Sequence, residues 1–522
     1  MTGNSSLRRY WERVSTLAKL TIVAVCVVLL AAAAYGVRTM IPAPTPVNHD
    51  CMRSSSTILI HSGPNAECVG FTDGSYVFDP SLSGIEHAIQ GEDRQVAHAD
   101  PTDSVAIVVL LPISSADGTI LSMTNVAEQL RGAYVAQYYA NRNDVDGKYP
   151  YIRLLIGNLG FQGDQWSPAT KIIVSAAAAF HITAVTGLGV SLSTTQDAAE
   201  QLTGDGIPVI GSTITSDDFD NIKNLIRVSP SNQDEISVAV SYIGSQYAKA
   251  FLIEDENTGD TYDTTLVSGF EKFPDATHQI IGTDVYDTTK RDQAQTASQE
   301  ELAESVVENR ISQMPADICT AQISQPTAVL FAGRGRDLAE LVADLSNRPC
   351  LNKPITIMSG DDVTNMPFSS QVQGGLDSGV TVYFSGDTSP DEWSRGTGTD
   401  IAEGRQGFTT FDDLFRVLFP GAPLTDGNTM MAYDATMTGI SAIRLTSLPQ
   451  PPPYAVAGEF SALQGIRTVL GASGPLAFNP DYSNSRVGSN PVGKAIPIMR
   501  LNINGTFQFI KLTWPGGQLP SY

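Results

Sequence analysis

The chain has 522 residues, of which 42% are hydrophobic and 17% charged, and its formal net charge is −23. That length allows more than one hydrophobic core, and the composition is that of a folded protein with few charges for its size. The excess of 55 acidic over 32 basic residues argues against a nucleic-acid partner, which demands positive charge to neutralise phosphates.

In chain order, a membrane anchor comes first. Lys19 and Arg38 bound an uncharged apolar run that Thr39, Met40 and Ile41 extend to about 20 positions, the span of a bilayer core. Arg8, Arg9, Arg13 and Lys19 precede it and Arg38 alone follows closely, so the positive-inside bias places residues 1–19 in the cytoplasm and everything after residue 41 outside. The expectation is a single-pass protein of the cell membrane. A cleaved signal peptide is the rival reading, because the run ends in small residues. Cys26 lies within the run, which argues against lipid attachment at a processed cysteine. Residues 42–102 read as a proline-rich spacer and a small extension that includes STILI, ECVGFTDGSYVF with a turn at Asp73-Gly74, and a short helix from about Ser83 to Val96. So short a segment needs the main body to lean on. Outside the cell, Cys51, Cys68, Cys319 and Cys350 can form disulfides, and sequence proximity favours Cys51–Cys68 and Cys319–Cys350 among three pairings. A zinc site is the alternative, but no two of these cysteines are closely spaced.

From residue 103 the chain alternates. SVAIVVLLP (104–112), YIRLLIGNLG (151–160), ITAVTGLG (182–189), IPVIGST (207–213), KAFLIED (249–255), TAVLFAG (327–333), ITIMSG (355–360) and GVTVYFSG (379–386) read as buried strands. Helical patterns separate most of them, which predicts an α/β protein with parallel sheets, helices on both faces and right-handed crossovers. The strands are too many for one sheet, so two lobes are expected. Residues 387–425 read as irregular around a short helix FDDLFRVLF, 430–445 as a helix, and the end as antiparallel strands turning at Asn504-Gly505.

In such sheets, ligands bind beyond the carboxyl ends of the strands. Here those ends are rich in small hydroxyl residues: GVSLSTT (189–195), GSTITSDD (211–218), EDENTGDTY (254–262), GRGRD (333–337) and SGDD (359–362). Hydroxyls and helix N-termini can hold a carboxylate, and an acid opposite them an ammonium. Plainer readings stand beside these. Ser191, Ser193 and Thr194 can simply cap a helix, as can Thr213 and Thr215. Asp361 and Asp362 can be solvated loop acids, and Arg334 and Arg336 can form surface ion pairs. No GxSxG, HExxH or GxxxxGK[ST] motif is present, and the 6 histidines are scattered. No catalytic residue, metal site or cofactor is therefore expected.

The order of six stretches resembles the type 1 periplasmic binding fold, in its branched-chain-amino-acid class of ABC transporter substrate-binding proteins. They are RGAYVAQYYAN (131–141), ITAVTGLGVSLSTTQDAAEQL (182–202), GIPVIGSTITSDDF (206–219), NLIRVSPSNQDE (224–235), MAYDATMTGISAI (431–443) and GASGPLAFNPDYSNSR (471–486). The resemblance implies three crossings between lobes: lobe one from 103–229 and 387–466, lobe two from 230–386 and 467–522. It implies a hinged cleft that closes on its ligand. Ser191 matches the family's hydroxyl contact, Ile214 and Thr215 its backbone and threonine contacts to a carboxylate, and Asp361 the acceptor of an ammonium. Ser193, Thr194 and Thr213 belong to the same rim. Two positions depart: the family's tyrosine–glycine pair reads Thr258-Gly259, with Tyr262 further on, and Arg334 or a neighbour replaces an aromatic residue. The expected role is capture of a small polar ligand, an amino acid among the candidates, for a permease or signalling partner. The alternatives are a ligand-less envelope scaffold of the same fold and, last, an enzyme.

Overall fold

The computed structural model describes residues 51–99, 103–114, 119–294, 297–322, 326–394, 402–424, 427–479 and 489–517. The anchor expected over 20–41, with its tail and spacer, lies outside them; among the described residues no helix is long and apolar enough to cross a membrane. Everything from Met52 onward belongs to one structural unit.

The extension opens with a hairpin of β1 (Ile58–Ser62) and β2 (Glu67–Thr72), followed by helix α1 (Ser83–Ala99). The main body starts with β3 (Ser104–Leu111), α2 (Met123–Ala140), β4 (Tyr151–Asn158), α3 (Trp166–Phe180), β5 (Ile182–Gly187), α4 (Ser193–Gly204), β6 (Val209–Gly211) and β7 (Leu225–Arg227). These strands form one sheet in the order β1-β2-β4-β3-β5-β6-β7, parallel from β4 to β7. β3 is buried along its whole length, as its unbroken aliphatic run requires. The extension leans on the body as expected: β2 pairs antiparallel with β4 and so covers what would be an open sheet edge. Asn158 ties the two together, donating to the Cys68 carbonyl at 3.0 Å and accepting from Ile113 N at 2.9 Å.

After the first crossing near Ser229–Ser231 come α5 (Asn232–Gly244), β8 (Lys249–Asp255), α6 (Thr261–Phe270), β9 (Gln279–Tyr286), α7 (Ala297–Ile311), α8 (Met314–Ala321), β10 (Ala328–Ala332), α9 (Gly335–Asp344), β11 (Ile355–Ser359), α10 (Ser370–Asp377) and β12 (Val380–Ser385). The chain then crosses back and forms α11 (Ala402–Leu418) and α12 (Asn428–Leu445). The expectation of an irregular segment with a short helix is corrected here: α11 spans 17 residues and buries Gly404, Gly407, Phe411 and Phe415. α12 is buried through nearly its whole length against α2. That close approach needs Gly132, where a Cβ would strike the Thr429 carbonyl.

The hairpin β13 (Val469–Gly471) and β14 (Gly474–Leu476) packs into the same core as α11 and α12, together with Phe478. The third crossing, expected at 466/467, therefore falls after Phe478, because apolar residues 469–478 complete the first core. The chain ends with β15 (Ile496–Leu501) and β16 (Phe507–Thr513), which add antiparallel to β12. The second sheet runs β16-β15-β12-β11-β10-β8-β9. Each sheet carries a hydrophobic core on both faces. Cys319 and Cys350 form a disulfide with Cα atoms 5.5 Å apart, and Cys51 and Cys68 are also in disulfide form.

Two predictions follow from this packing. Replacing Cys319 and Cys350 by serine frees a closed loop of 31 residues, and a loop of that size predicts a loss of roughly 3–4 kcal/mol in chemical denaturation. Asp93 on α1 docks the extension, accepting from Leu154 N at 3.0 Å and Gln137 Nε2 at 2.6 Å. Burial pushes its carboxyl up to about 8. A carboxyl raised on folding contributes stability that is full below the unfolded value, about 4, and is lost progressively as pH climbs from there through the folded value. Asp93→Asn, which keeps the accepting oxygen, should leave the melting temperature nearly unchanged below about pH 4 and raise it progressively toward about pH 9, by several degrees. A variant melting like the wild type at both ends of that range refutes the assignment.

Candidate functional site

Both parallel sheets turn their carboxyl ends to one cleft. The first supplies the loops after β5 and β6, the second those after β8, β10, β11 and β12. The second crossing lends Asp387 to its wall.

On the lobe-one side, Ser191 Oγ accepts from Thr215 N at 2.9 Å and Ser216 N at 3.1 Å. The hydroxyl thus clasps two loops together and occupies backbone donors that could face a ligand. Thr213 Oγ1 donates to the Gly189 carbonyl at 2.6 Å. Thr215 Oγ1 is buried and unpartnered. Ile214 turns its side chain into the core on the other face of the first sheet, and its carbonyl accepts from Ser229 Oγ at 2.7 Å, so it lends the cleft no side chain. The capping expected of Ser191, Ser193 or Thr194 falls to Thr195, whose Oγ1 accepts from Leu192 N at 3.0 Å.

On the lobe-two side the organising group is Arg334, 6% exposed at the end of β10. Its Nε and Nη2 make a bidentate pair with Asp260 at 2.7 and 2.8 Å, and Nη1 reaches Asp362 at 3.3 Å. The guanidinium lies 4.4 Å from the Tyr262 ring centroid. Nη2 also donates to the Ser191 carbonyl at 2.9 Å, which crosses from one lobe to the other. A surface ion pair for Arg334 is thereby corrected to a buried one. Local sequence explains the geometry. Asp260 caps α6 by accepting from Tyr262 N at 3.1 Å, so its carboxylate is already fixed. Gly335 lets α9 start against the Asp362 carbonyl, where a Cβ would collide, and its N–H donates to Asp362 Oδ2 at 2.7 Å. Asp362 is therefore not a solvated loop acid. A second contact between lobes runs from Ser193 N to the Gly259 carbonyl at 3.2 Å.

Deeper in, Asp361, Glu235 on α5 and Asp387 on the second crossing each place a carboxylate oxygen within 4.8 Å of the other two. All three carboxyls are pushed up. Burial leads in each case; neighbouring acids add for Glu235 and Asp361, while Lys494 and Arg227 hold Asp387 to about 7.

The closed cleft retains a cavity of about 20 Å³ lined by Ser191, Thr213, Thr215, Tyr262, Arg334 and Asp361, with Asp362, Asp387 and Asn428 among its other walls. Six of the ten residues singled out in the sequence thus meet at one place. Ser193 and Thr194 line a separate groove of about 530 Å³ at the cleft edge, with Asn257, Gly259 and Asp292 opposite. Thr258 is exposed and lines neither. Sequence reasoning missed Asp260, Glu235 and Asp387. For Asp260 the sequence offered only its place before a helix start; its partner, Arg334, lies 74 residues on.

No protein-family model and no curated protein sequence matches the chain. Solved structures do. A branched-chain amino acid transporter substrate-binding protein from Streptococcus pneumoniae, in complex with isoleucine, aligns over 79% of this chain and 100% of its own at 16% identity and a TM-score of 0.55. An ABC transporter substrate-binding protein from Aeropyrum pernix aligns over 80% and 96% at 14% identity and a TM-score of 0.56. A solute-binding protein of an ABC transporter from Rhodopseudomonas palustris, in complex with 3,4-dihydroxybenzoic acid, aligns over 80% and 99% at 11% identity and a TM-score of 0.53. With two facing sheets, three crossings and this likeness, the chain has the type 1 periplasmic binding fold.

Proposed function

We propose that this protein is an extracytoplasmic solute-binding protein, held to the membrane by residues 20–41, that closes on a small polar ligand for a permease or receptor complex. The observation that carries this reading is the convergence of Ser191, Thr213 and Thr215 from one lobe with Tyr262 and Asp361 from the other on a single cavity. Hydroxyls and an acid set face to face suit a ligand bearing amino or hydroxyl groups. A ligand carboxylate would meet Arg334. A cavity of about 20 Å³ admits about one water, so an amino acid enters only when the lobes part. The similar structures are described as binding proteins, which supports a binder rather than a catalyst.

A second reading, a ligand-less envelope scaffold, is favoured by one observation. Arg334 already reaches into the cleft and pairs Asp260 and Asp362 with the protein's own cation.

Mass spectrometry of small molecules released on denaturing the purified full chain separates the two. A stoichiometric polar solute is expected; an empty cleft, with no thermal shift from amino acids, peptides, nucleosides or sugars, supports the scaffold instead. For an amino-bearing solute, Asp361→Ala should weaken calorimetric affinity by more than about 1 kcal/mol through loss of a charge-assisted hydrogen bond. Unchanged affinity removes Asp361 from the site.

Arg334 gives an independent expectation. Arg334→Met leaves Asp260 and Asp362 buried without their cation, which should lower stability by about 3–5 kcal/mol. Because the guanidinium also spans to lobe one, the variant should show a larger radius of gyration in small-angle scattering. Dimensions equal to the wild type would rule out a latch.

A further inference from the structure

We propose that Glu235, Asp361 and Asp387, with the Thr215 hydroxyl, form a site for a divalent cation at the base of the cleft. The site shares Asp361 and Thr215 with the solute cavity of the reading above, and its test uses the ion alone.

The three acids come from separate places: the first turn of α5, the loop after β11 and the second crossing. Each offers an oxygen within 4.8 Å of the other two. Oxygens so spaced can share one ion at a ligand distance of about 2.3–2.6 Å. Glu235 Oε1, Asp361 Oδ1 and Asp387 Oδ1 are all buried with no hydrogen-bond partner. Glu235 is fully buried, and its other oxygen accepts from Ser385 Oγ at 3.1 Å. Buried carboxylate oxygens without partners are costly unless something positive meets them.

The neighbouring cations are committed elsewhere. Arg334 pairs with Asp260 and Asp362, Arg227 with Asp220 and, at 2.6 Å, with Asn490, and Lys494 Nζ donates to the Ser473 carbonyl at 2.7 Å. Among the described residues, no cationic side chain forms an ion pair with any of the three acids.

An independent observation comes from the other lobe. Thr215 Oγ1, on a residue 1% exposed, is also buried and unpartnered, and Thr215 lines the same cavity as Asp361 and Asp387. That cavity, about 20 Å³, is the size of an ion or a water. The donors are all oxygen, three of them carboxylate, which is the chemistry of Ca²⁺, Mg²⁺ or Mn²⁺ rather than of a thiolate- or imidazole-seeking metal. An ion here would join acids of the second lobe and its crossing to a hydroxyl of the first, so closure would be cation-dependent.

The test is calorimetric titration of the full chain in detergent, stripped with chelator, with CaCl₂, MgCl₂ or MnCl₂ alone. Saturable binding of at least one ion is expected, with a rise in melting temperature. Glu235→Gln and Asp387→Asn should each weaken it by about tenfold or more. The ion-free melting temperature of Glu235→Gln should equal or exceed that of the ion-free wild type, which shows that the variant folds. Absence of saturable heat from all three salts up to millimolar concentration would overturn the site. So would binding that survives both substitutions and is lost instead in Glu340→Gln, in the separate Glu304–Glu308–Glu340 cluster.

Discussion

One guanidinium sets the terms of the cleft. Arg334 is taken out of water, and a buried charge is tolerable only when paired and fully hydrogen-bonded. It finds that pairing in Asp260 and Asp362, two acids from different loops of the second lobe. The carboxylates are fixed first by backbone donors, Asp260 by the start of α6 and Asp362 by Gly335 N. The loops after β8, β10 and β11 therefore cannot move independently of one another. The remaining donor reaches the Ser191 carbonyl, so the state of this cluster is felt across the lobes.

A second set of buried charges ties together segments distant in sequence. Arg227 ends β7 and holds the Ser216 carbonyl at 2.5 Å and Asn490 Oδ1 at 2.6 Å. Asp434 on α12 accepts from Ala472 N and from Ser473 N at 2.9 Å, and Lys494 donates to the Ser473 carbonyl. These contacts are directional and few. They hold those segments in register.

Much of the fold could be read from the sequence, for a clear reason. A parallel strand buried on both faces needs an unbroken aliphatic run, and β3 shows it directly. The rim of small hydroxyl residues was legible because function gathers where parallel strands end. What stayed hidden depended on partners distant in sequence. Arg334 looked like a surface charge because nothing beside it shows that Asp260 will be brought to it. α11 was underestimated because Gly404 and Gly407 weaken its helical pattern; yet Gly407 is needed where a Cβ would meet the Gly471 carbonyl. Thr195 outcompeted its neighbours as a cap, a choice settled by loop geometry rather than residue type.

The order in which the cores are completed has a consequence for biogenesis. The first core lacks α12 and the β13–β14 hairpin until residues 428–478 are present, and the second sheet lacks two edge strands until β15 and β16 arrive. A chain made from its N-terminus therefore exposes incomplete apolar surfaces of both lobes over most of its synthesis. The first lobe closes its core once residue 478 is made, and the second is completed only when β15 and β16 emerge.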